Sequence, residues 1–347
     1  MKLSAFTVVD AYPDLPDASR DRFGDVLRLA EAAEAGGLST LWVAEHHFQP
    51  GGVCPAPPVL LAACGQRTRR IRLGVMVSVL PFHRPIELAE EYALLDRLLG
   101  GRLNLGVGSG YIPLEFEGFG IDPATKRERF DRHLETLLAA LDGKEVRSDE
   151  PGATAVRLNV LPVQRPHPPI WVAVQRREAV PFVAQRGASL ALVPYATVAD
   201  LRELGDQVRE FRSHRPDGGA AEVAVAVHLY AGDRPERARA ALQRYLDARL
   251  ATQSVFYQEK VRRDPRHATA ETIEASGFAL FGSPDEVAGR LADYAAVGVD
   301  EVLGIFDFGG LGSSEVTRSV TELGRAFARR AAGTSSPRRS KRRPGTG

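Results

Sequence analysis

Leu41-Trp42-Val43-Ala44-Glu45-His46-His47-Phe48 is a short apolar run that stops abruptly in a titratable Glu-His-His. Four apolar residues, set off from what precedes them by Gly36-Gly37, read as a buried strand over Leu41–Ala44. Side chains placed where such a strand stops are held by a rigid element yet face a cleft. In parallel α/β proteins that is where chemistry sits. The same residues also fit a plain structural pair, one imidazole exposed and the other packed and hydrogen-bonded to Glu45. The rest of the chain decides between the two.

On both sides of this stretch, strand-like runs alternate with helical ones. Leu3–Val9 reads as a strand, and Arg22–Ala35 as a helix with Val26, Leu29, Ala30 and Ala33 on one face. Pro58–Gln66 follows as a short helix and Ile71–Leu80 as a third strand. Pro85 suits the first position of a helix running to Leu99, which Gly100-Gly101 closes. Arg102–Val107 reads as a strand and Lys126–Leu141 as a helix. Residues 143–168 break the rhythm with charges, glycines and prolines, and read as an insertion with at most short strands.

The alternation then resumes, with strands over Ile170–Val174, Leu190–Val193, Val223–Tyr230 and Val299–Phe306. Helices fall over Glu178–Arg186, Ala199–Arg212, Pro235–Leu250, Pro284–Val297 and Glu315–Ala331. The polar, weakly periodic stretch 251–277 reads as a mobile lid. Eight strands, each followed by at least one helix and with no shift of composition, predict an α/β protein with a (β/α)8 TIM barrel. The barrel is expected to be a single domain over 1–333, with insertions. Residues 334–347, rich in Ser, Pro and Arg, are expected to form a disordered basic tail.

Composition narrows the partners. The formal charge is +1, but Arg338, Arg339, Lys341, Arg342 and Arg343 all lie in the last ten residues. Without those five the body carries 40 basic against 44 acidic side chains, a net −4, which argues against nucleic-acid binding. Two cysteines without metal-type spacing, Cys54 and Cys64, suit a reducing cytoplasm. No segment approaches the roughly 18 consecutive apolar residues of a membrane span. The first residues enter a strand at once, so no signal peptide is expected.

Other strand ends also run into residues that suit chemistry. Asn104-Leu105-Gly106-Val107-Gly108-Ser109-Gly110-Tyr111 leaves its strand through three glycines spaced two apart. Glycines there either admit a ligand to the backbone or simply make a tight turn. Trp171-Val172-Ala173-Val174-Gln175-Arg176-Arg177 ends in two arginines before a helix, a pattern for an anion cradle or for a solvated helix start. Met76-Val77-Ser78-Val79-Leu80-Pro81-Phe82-His83 suits the flat face of an aromatic cofactor or a plain core, with His83 read as a surface residue. For His46 and His47 no third ligand stands at a recognisable spacing, so no metal is expected. Adjacent strand residues face opposite ways, so only one of the two is expected to face the mouth.

Taken together and in this order, these segments resemble the bacterial luciferase-like family of flavin-dependent monooxygenases. The resemblance runs through Glu45-His46-His47-Phe48, Ile71-Arg72-Leu73-Gly74 and Pro85-Ile86-Glu87-Leu88-Ala89-Glu90-Glu91 with Leu95-Asp96. It continues through Gly101-Arg102-Leu103, Gly106 to Tyr111 and Glu115-Phe116-Glu117-Gly118-Phe119-Gly120. Pro169-Ile170-Trp171-Val172-Ala173 and Phe281-Gly282-Ser283-Pro284-Asp285-Glu286-Val287 complete it, so that it spans most of the chain.

What the resemblance implies is specific. The barrel would form a homodimer and bind reduced FMN (FMNH2), or in some branches the deazaflavin F420, at its C-terminal mouth. A separate NAD(P)H:flavin reductase would supply the FMNH2, and O2 would be the co-substrate for oxidising a small organic molecule. His46 would take the family's catalytic histidine position. Met76 and Val77 would lie against the isoalloxazine, where family members often show a non-proline cis peptide. Ser109 and Tyr111 would border the flavin tail, and Gln175 with Arg176 would reach its phosphate. Many relatives carry Ser or Thr at that last place, and an arginine replaces hydroxyl donors with a stronger charge-assisted contact. Light-emitting relatives carry Cys where Gly108 stands, which argues against light emission here.

The alternatives are an F420-dependent oxidoreductase on the same fold and a non-catalytic flavin-binding protein. Glu45-His46-His47 favours the flavin branch, since the deazaflavin branch more commonly reads Asp-His there. Aldehydes, alkanesulfonates, ketones and secondary metabolites are all oxidised on this scaffold, and Cys54 and His228 read as structural.

Overall fold

Alternating apolar runs become strands that all pair in parallel. The computed structural model describes residues 1–334 apart from 17–19, 150, 194–197, 217–219, 253–257 and 259–268. The strands are β1 Lys2–Thr7, β2 Thr40–Val43, β3 Arg72–Val79, β4 Leu103–Gly108, β5 Ile170–Val174 and β6 Ser189–Leu192. They continue with β7 Val223–Ala231, β8 Ala279–Gly282 and β9 Glu301–Ile305. Their order is β6-β5-β4-β3-β2-β1-β9-β7-β8, and an added β6–β7 pairing closes eight of them into a barrel.

The α-helices among the described residues are α1 Arg22–Gly36, α2 Pro57–Arg67, α3 Pro85–Leu98, α4 Pro113–Gly118, α5 Lys126–Leu141 and α6 Val180–Gln185. They continue with α7 Leu201–Ser213, α8 Pro235–Thr252, α9 Ala270–Ala275, α10 Pro284–Ala296 and α11 Ser313–Thr334. No described helix is long and apolar enough to cross a membrane.

All eight expected strands form, each within two residues of its expected bounds. Local chemistry explains several ends. Asp21 caps α1 by accepting from the Gly24 amide, and Gly37 stops the helix in the left-handed region. Ser283 and Glu286 form a reciprocal capping box at the start of α10. Gly100 and Gly101, both at positive φ, close α3 as the sequence implies.

Two readings need correction. The ninth strand, β8, was not expected: its four residues lie between Gly277 and Ser283, too short a run for periodicity to identify. It pairs with the end of β7, where His228 meets Ala279 on one side and Ile305 of β9 on the other. The expected helix over Glu178–Arg186 is split into a 3-10 turn, Arg177–Ala179, and the short α6. The insertion 143–168 agrees with the expectation of at most short strands: its described residues form only the isolated bridge between Val146 and Val156. Most of the expected lid, 253–257 and 259–268, lies outside the described residues, as does the tail from 335. The described part of that lid ends α8 and forms α9.

Side chains fill the barrel. Trp42 on β2 and Trp171 on β5 meet edge to face with ring centroids 5.6 Å apart, although β3 and β4 separate their strands. Such a contact is only made across the interior. Gly74 on β3 makes room for it, since a Cβ there would stand 2.4 Å from the Trp42 ring. Glu301 of β9 accepts from Trp42 Nε1 at 2.9 Å and from Ser4 Oγ at 2.6 Å. Burial raises its pKa, and these two hydrogen bonds work against that rise. The interior is a packed plug, so ligands have access at the strand ends.

Candidate functional site

Because every barrel strand is parallel, the C-terminal ends of β2, β3, β4 and β5 share one mouth, and the sequence-predicted residues lie in or just after these four strands. His46 and His47 follow β2, and Met76 and Val77 lie within β3. Ser109 and Tyr111 follow β4, and Gln175 and Arg176 follow β5.

The two histidines have separate carboxylate partners. His46 Nδ1 lies 2.9 Å from Glu115 Oε1, and the same oxygen accepts from the His47 backbone amide at 3.0 Å. His47 Nε2 instead lies 3.1 Å from Glu45 Oε1. Glu45 also takes His83 Nε2 at 2.8 Å and the Val79 amide at 3.3 Å. Burial favours the neutral form of Glu45, yet the hydrogen bonds and charges of His47 and His83 outweigh it and hold its pKa below the usual range. Burial likewise opposes charge on His83, but Glu45 raises its pKa overall. His83, expected at the surface, is thus a partner of a buried carboxylate. The sequence could not show this, because a 3-10 turn at Leu80–Phe82 brings the chain back over Glu45.

His46 is further bounded by its loop. Its amide donates to the Cys54 carbonyl at 3.1 Å, and a Cβ on Gly52 would stand 2.5 Å from its Cδ2. Tyr111 stands edge-on to it, ring centroids 6.3 Å apart. His47 packs with Phe48, Phe82 and Phe119. The two rings therefore have different surroundings, in keeping with alternation at a strand end. Phe48 has φ +60°, a costly conformation for an aromatic residue, and its ring covers Gly118.

The glycines of β4 serve packing. The Met76–Val77 peptide is cis, as the resemblance implies, and the β3–β4 register shifts between Val75 and Ser78. A Cβ on Gly106 would stand 2.4 Å from the Val75 carbonyl oxygen, and one on Gly108 would stand 2.6 Å from Val77 Cγ2. Both glycines thus accommodate the irregular stretch of β3. Gly110, at φ +75°, makes the turn that follows.

Beside that turn lies Lys126, with the exposed Arg176 near enough to act on its charge. Lys126, the first residue of α5, reaches the Gly110 carbonyl at 3.5 Å. Its pKa is lowered by burial and by the nearby Arg176 guanidinium. Among the described residues neither cation forms a salt bridge. Arg177 does not join them, because it pairs with Glu210 at 2.7 Å. The helix expected to support an anion cradle there begins as a 3-10 turn. Two neighbouring cations with no salt bridge among the described residues suit a dianion such as a phosphate monoester.

Sequence reasoning gave no role to Glu115 or Lys126. Both lie in segments between β4 and β5, and only the folded chain brings them to β2 and β5. Cys54 and His228, read from sequence as structural, are both buried. Burial raises the Cys54 thiol to about 11, and burial with Arg249 lowers His228 to about 3. His228 packs against Tyr245 and Phe308.

A family model described as luciferase-like monooxygenase matches residues 1–301. The protein y4wF of Sinorhizobium fredii is 38% identical over 207 residues, 59% of this chain and 60% of that one. The oxygenase component of a flavin-dependent trigonelline monooxygenase from Acinetobacter baylyi is 26% identical over 329 residues, 87% of this chain and 88% of that one. Monooxygenase RslO1 of Streptomyces bottropensis has a TM-score of 0.81 at 25% identity, covering 95% of this chain and 100% of that one. At 18% identity the likeness extends, as fold, to the oxygenating constituent of 3,6-diketocamphane monooxygenase from Pseudomonas putida, solved with FMN. That comparison has a TM-score of 0.78 and covers 95% of this chain and 98% of the other. An F420-dependent secondary alcohol dehydrogenase shares the fold at 16% identity and TM-score 0.72, covering 94% of this chain and 98% of that one.

Proposed function

The chain belongs to the luciferase-like monooxygenase family, and from that premise we propose that it is the oxygenase component of a two-component system. It takes reduced FMN from a separate NAD(P)H:flavin reductase and oxidises a small organic substrate with O2. The observation that carries this reading is the Lys126–Arg176 pair beside Gly110. A terminal phosphate monoester carries about two negative charges at neutral pH, which two cations without a salt bridge among the described residues match. FMN ends in such a group. The residues present therefore fit FMN.

In this reading Lys126 and Arg176 hold the phosphate, with Ser109, Tyr111 and Gln175 along the tail and Met76 with Val77 against the ring. When bound, reduced flavin supplies the electrons that send one oxygen atom of O2 to the substrate and the other to water. The protein's part is to position, exclude water and move protons. His46 is the residue assigned to hold and release a proton, at Nε2. The cluster of His47, Phe48, Phe82, Phe116 and Phe119 packs beside it as an apolar wall.

The homodimer is part of the same proposal. Val59 on α2 and Leu94 and Leu98 on α3 are all more than half exposed, and these two helices pack side by side. An apolar face of that kind suits a second copy of the chain.

The test is a set of anaerobic titrations with FMN, FMNH2 and F420, followed by admission of O2. Tight FMNH2 binding with O2-dependent reoxidation on the protein is the expected result. Tight F420 binding with no FMNH2 binding would contradict it.

A further inference from the structure

We propose that Glu115 is the positioning residue for His46, fixing which ring nitrogen carries a proton and which exchanges one. The inference rests on the role given to His46 above. Glu115 stands 69 residues from His46 in sequence and is 1% exposed. A carboxylate in such a place needs donors, because burial without them is expensive. Among the described residues two reach it, both on Oε1: His46 Nδ1 at 2.9 Å and the His47 amide at 3.0 Å.

A carboxylate oxygen accepts and does not donate, so the hydrogen of that contact belongs to Nδ1. In the neutral imidazole Nε2 then keeps its lone pair, and no described group hydrogen-bonds to it. The bond to the His47 amide ties the carboxylate to the backbone next to the ring it orients, so Glu115 does not follow a rotation of His46. Gly52 holds the opposite edge, since its backbone leaves no room for even a Cβ beside Cδ2. Glu45 is engaged by His47 and His83 and does not compete for His46. Each histidine of the pair thus has its own carboxylate, met through Nδ1 in His46 and through Nε2 in His47. This is the arrangement by which a carboxylate selects a histidine tautomer in general-base sites.

Long-range 1H–15N spectra of histidine-labelled protein, recorded without flavin, test the assignment, with the His46 signals identified by their loss in His46→Gln. In the wild type His46 is expected to be protonated at Nδ1 and bare at Nε2. Glu115→Leu should move it toward the Nε2-protonated form that free histidine prefers. Glu115→Gln keeps the size and one accepting oxygen, so it should retain the tautomer while losing the carboxylate's charge. In turnover with reduced FMN, Glu115→Leu should lower kcat about a hundredfold with little change in flavin affinity. A wild-type His46 protonated at Nε2, or a tautomer unchanged in Glu115→Leu, would overturn the proposal. If Glu115→Leu does not fold, the wild-type spectrum alone decides. Because the spectra need no flavin, failure of FMNH2 binding would count against the functional reading and not against this assignment.

Discussion

Glu45 Oε1 and His83 Nε2 lie 2.8 Å apart, joining the end of β2 to the turn after β3 through one buried carboxylate. This contact makes stability depend on pH. His83 has a folded pKa raised above 6.5, so its contribution is complete below 6.5 and is lost as pH rises through the raised value. Glu45 has a folded pKa held below 4.5, so its contribution is complete above 4.5 and is lost as pH falls through the depressed value. The pair should therefore stabilise the fold most between 4.5 and 6.5. Urea unfolding of the wild type and His83→Gln across pH should show the largest gap in that window, on the order of 1–3 kcal/mol. A gap that does not vary with pH would contradict this account.

The β4 glycines should rank by what opposes them. Gly106→Ala meets the Val75 carbonyl, which is backbone, whereas Gly108→Ala meets the tip of Val77. Gly106→Ala should cost about 1–3 kcal/mol in chemical denaturation and Gly108→Ala less. Equal costs would mean that the β3 irregularity does not set the glycine pattern.

Lys126→Ala and Arg176→Ala should each weaken FMN binding about ten- to a hundredfold, the worth of a lost charge-assisted contact. Riboflavin, which lacks the phosphate, should bind the wild type and both variants alike. Parallel loss for FMN and riboflavin would place these cations away from a phosphate.

Leu94→Glu, at an exposed position of α3, should convert a dimer into a monomer in light scattering coupled to gel filtration, with unchanged circular dichroism. A dimer that survives the substitution would move the interface elsewhere.

Much of this molecule is legible from the chain. Four-residue runs such as Leu41–Ala44, punctuated by Gly36-Gly37, mark strands because an apolar run between breakers has few other places to go. Their ends then mark the mouth, which is why His46, Ser109 and Arg176 are reachable from sequence. Local pattern misleads where a residue's meaning depends on a distant segment. Gly106 and Gly108 look like a ligand-binding turn until the irregular β3 is laid against them. His83 looks exposed until the turn after β3 folds it onto Glu45. Glu115 and Lys126 carry no local signal, because the contacts that give them meaning cross from one strand end to another.

The central claim is that His46 manages a proton for reduced FMN. It is tested most directly by stopped-flow reoxidation of protein-bound reduced FMN, followed across pH for the wild type and His46→Ala. The two proteins should bind reduced FMN equally, and the wild type should show a pH-dependent reoxidation that the variant lacks. A rate change of about 10²–10⁴ is also expected. Identical rates and identical pH profiles in the two proteins would contradict it.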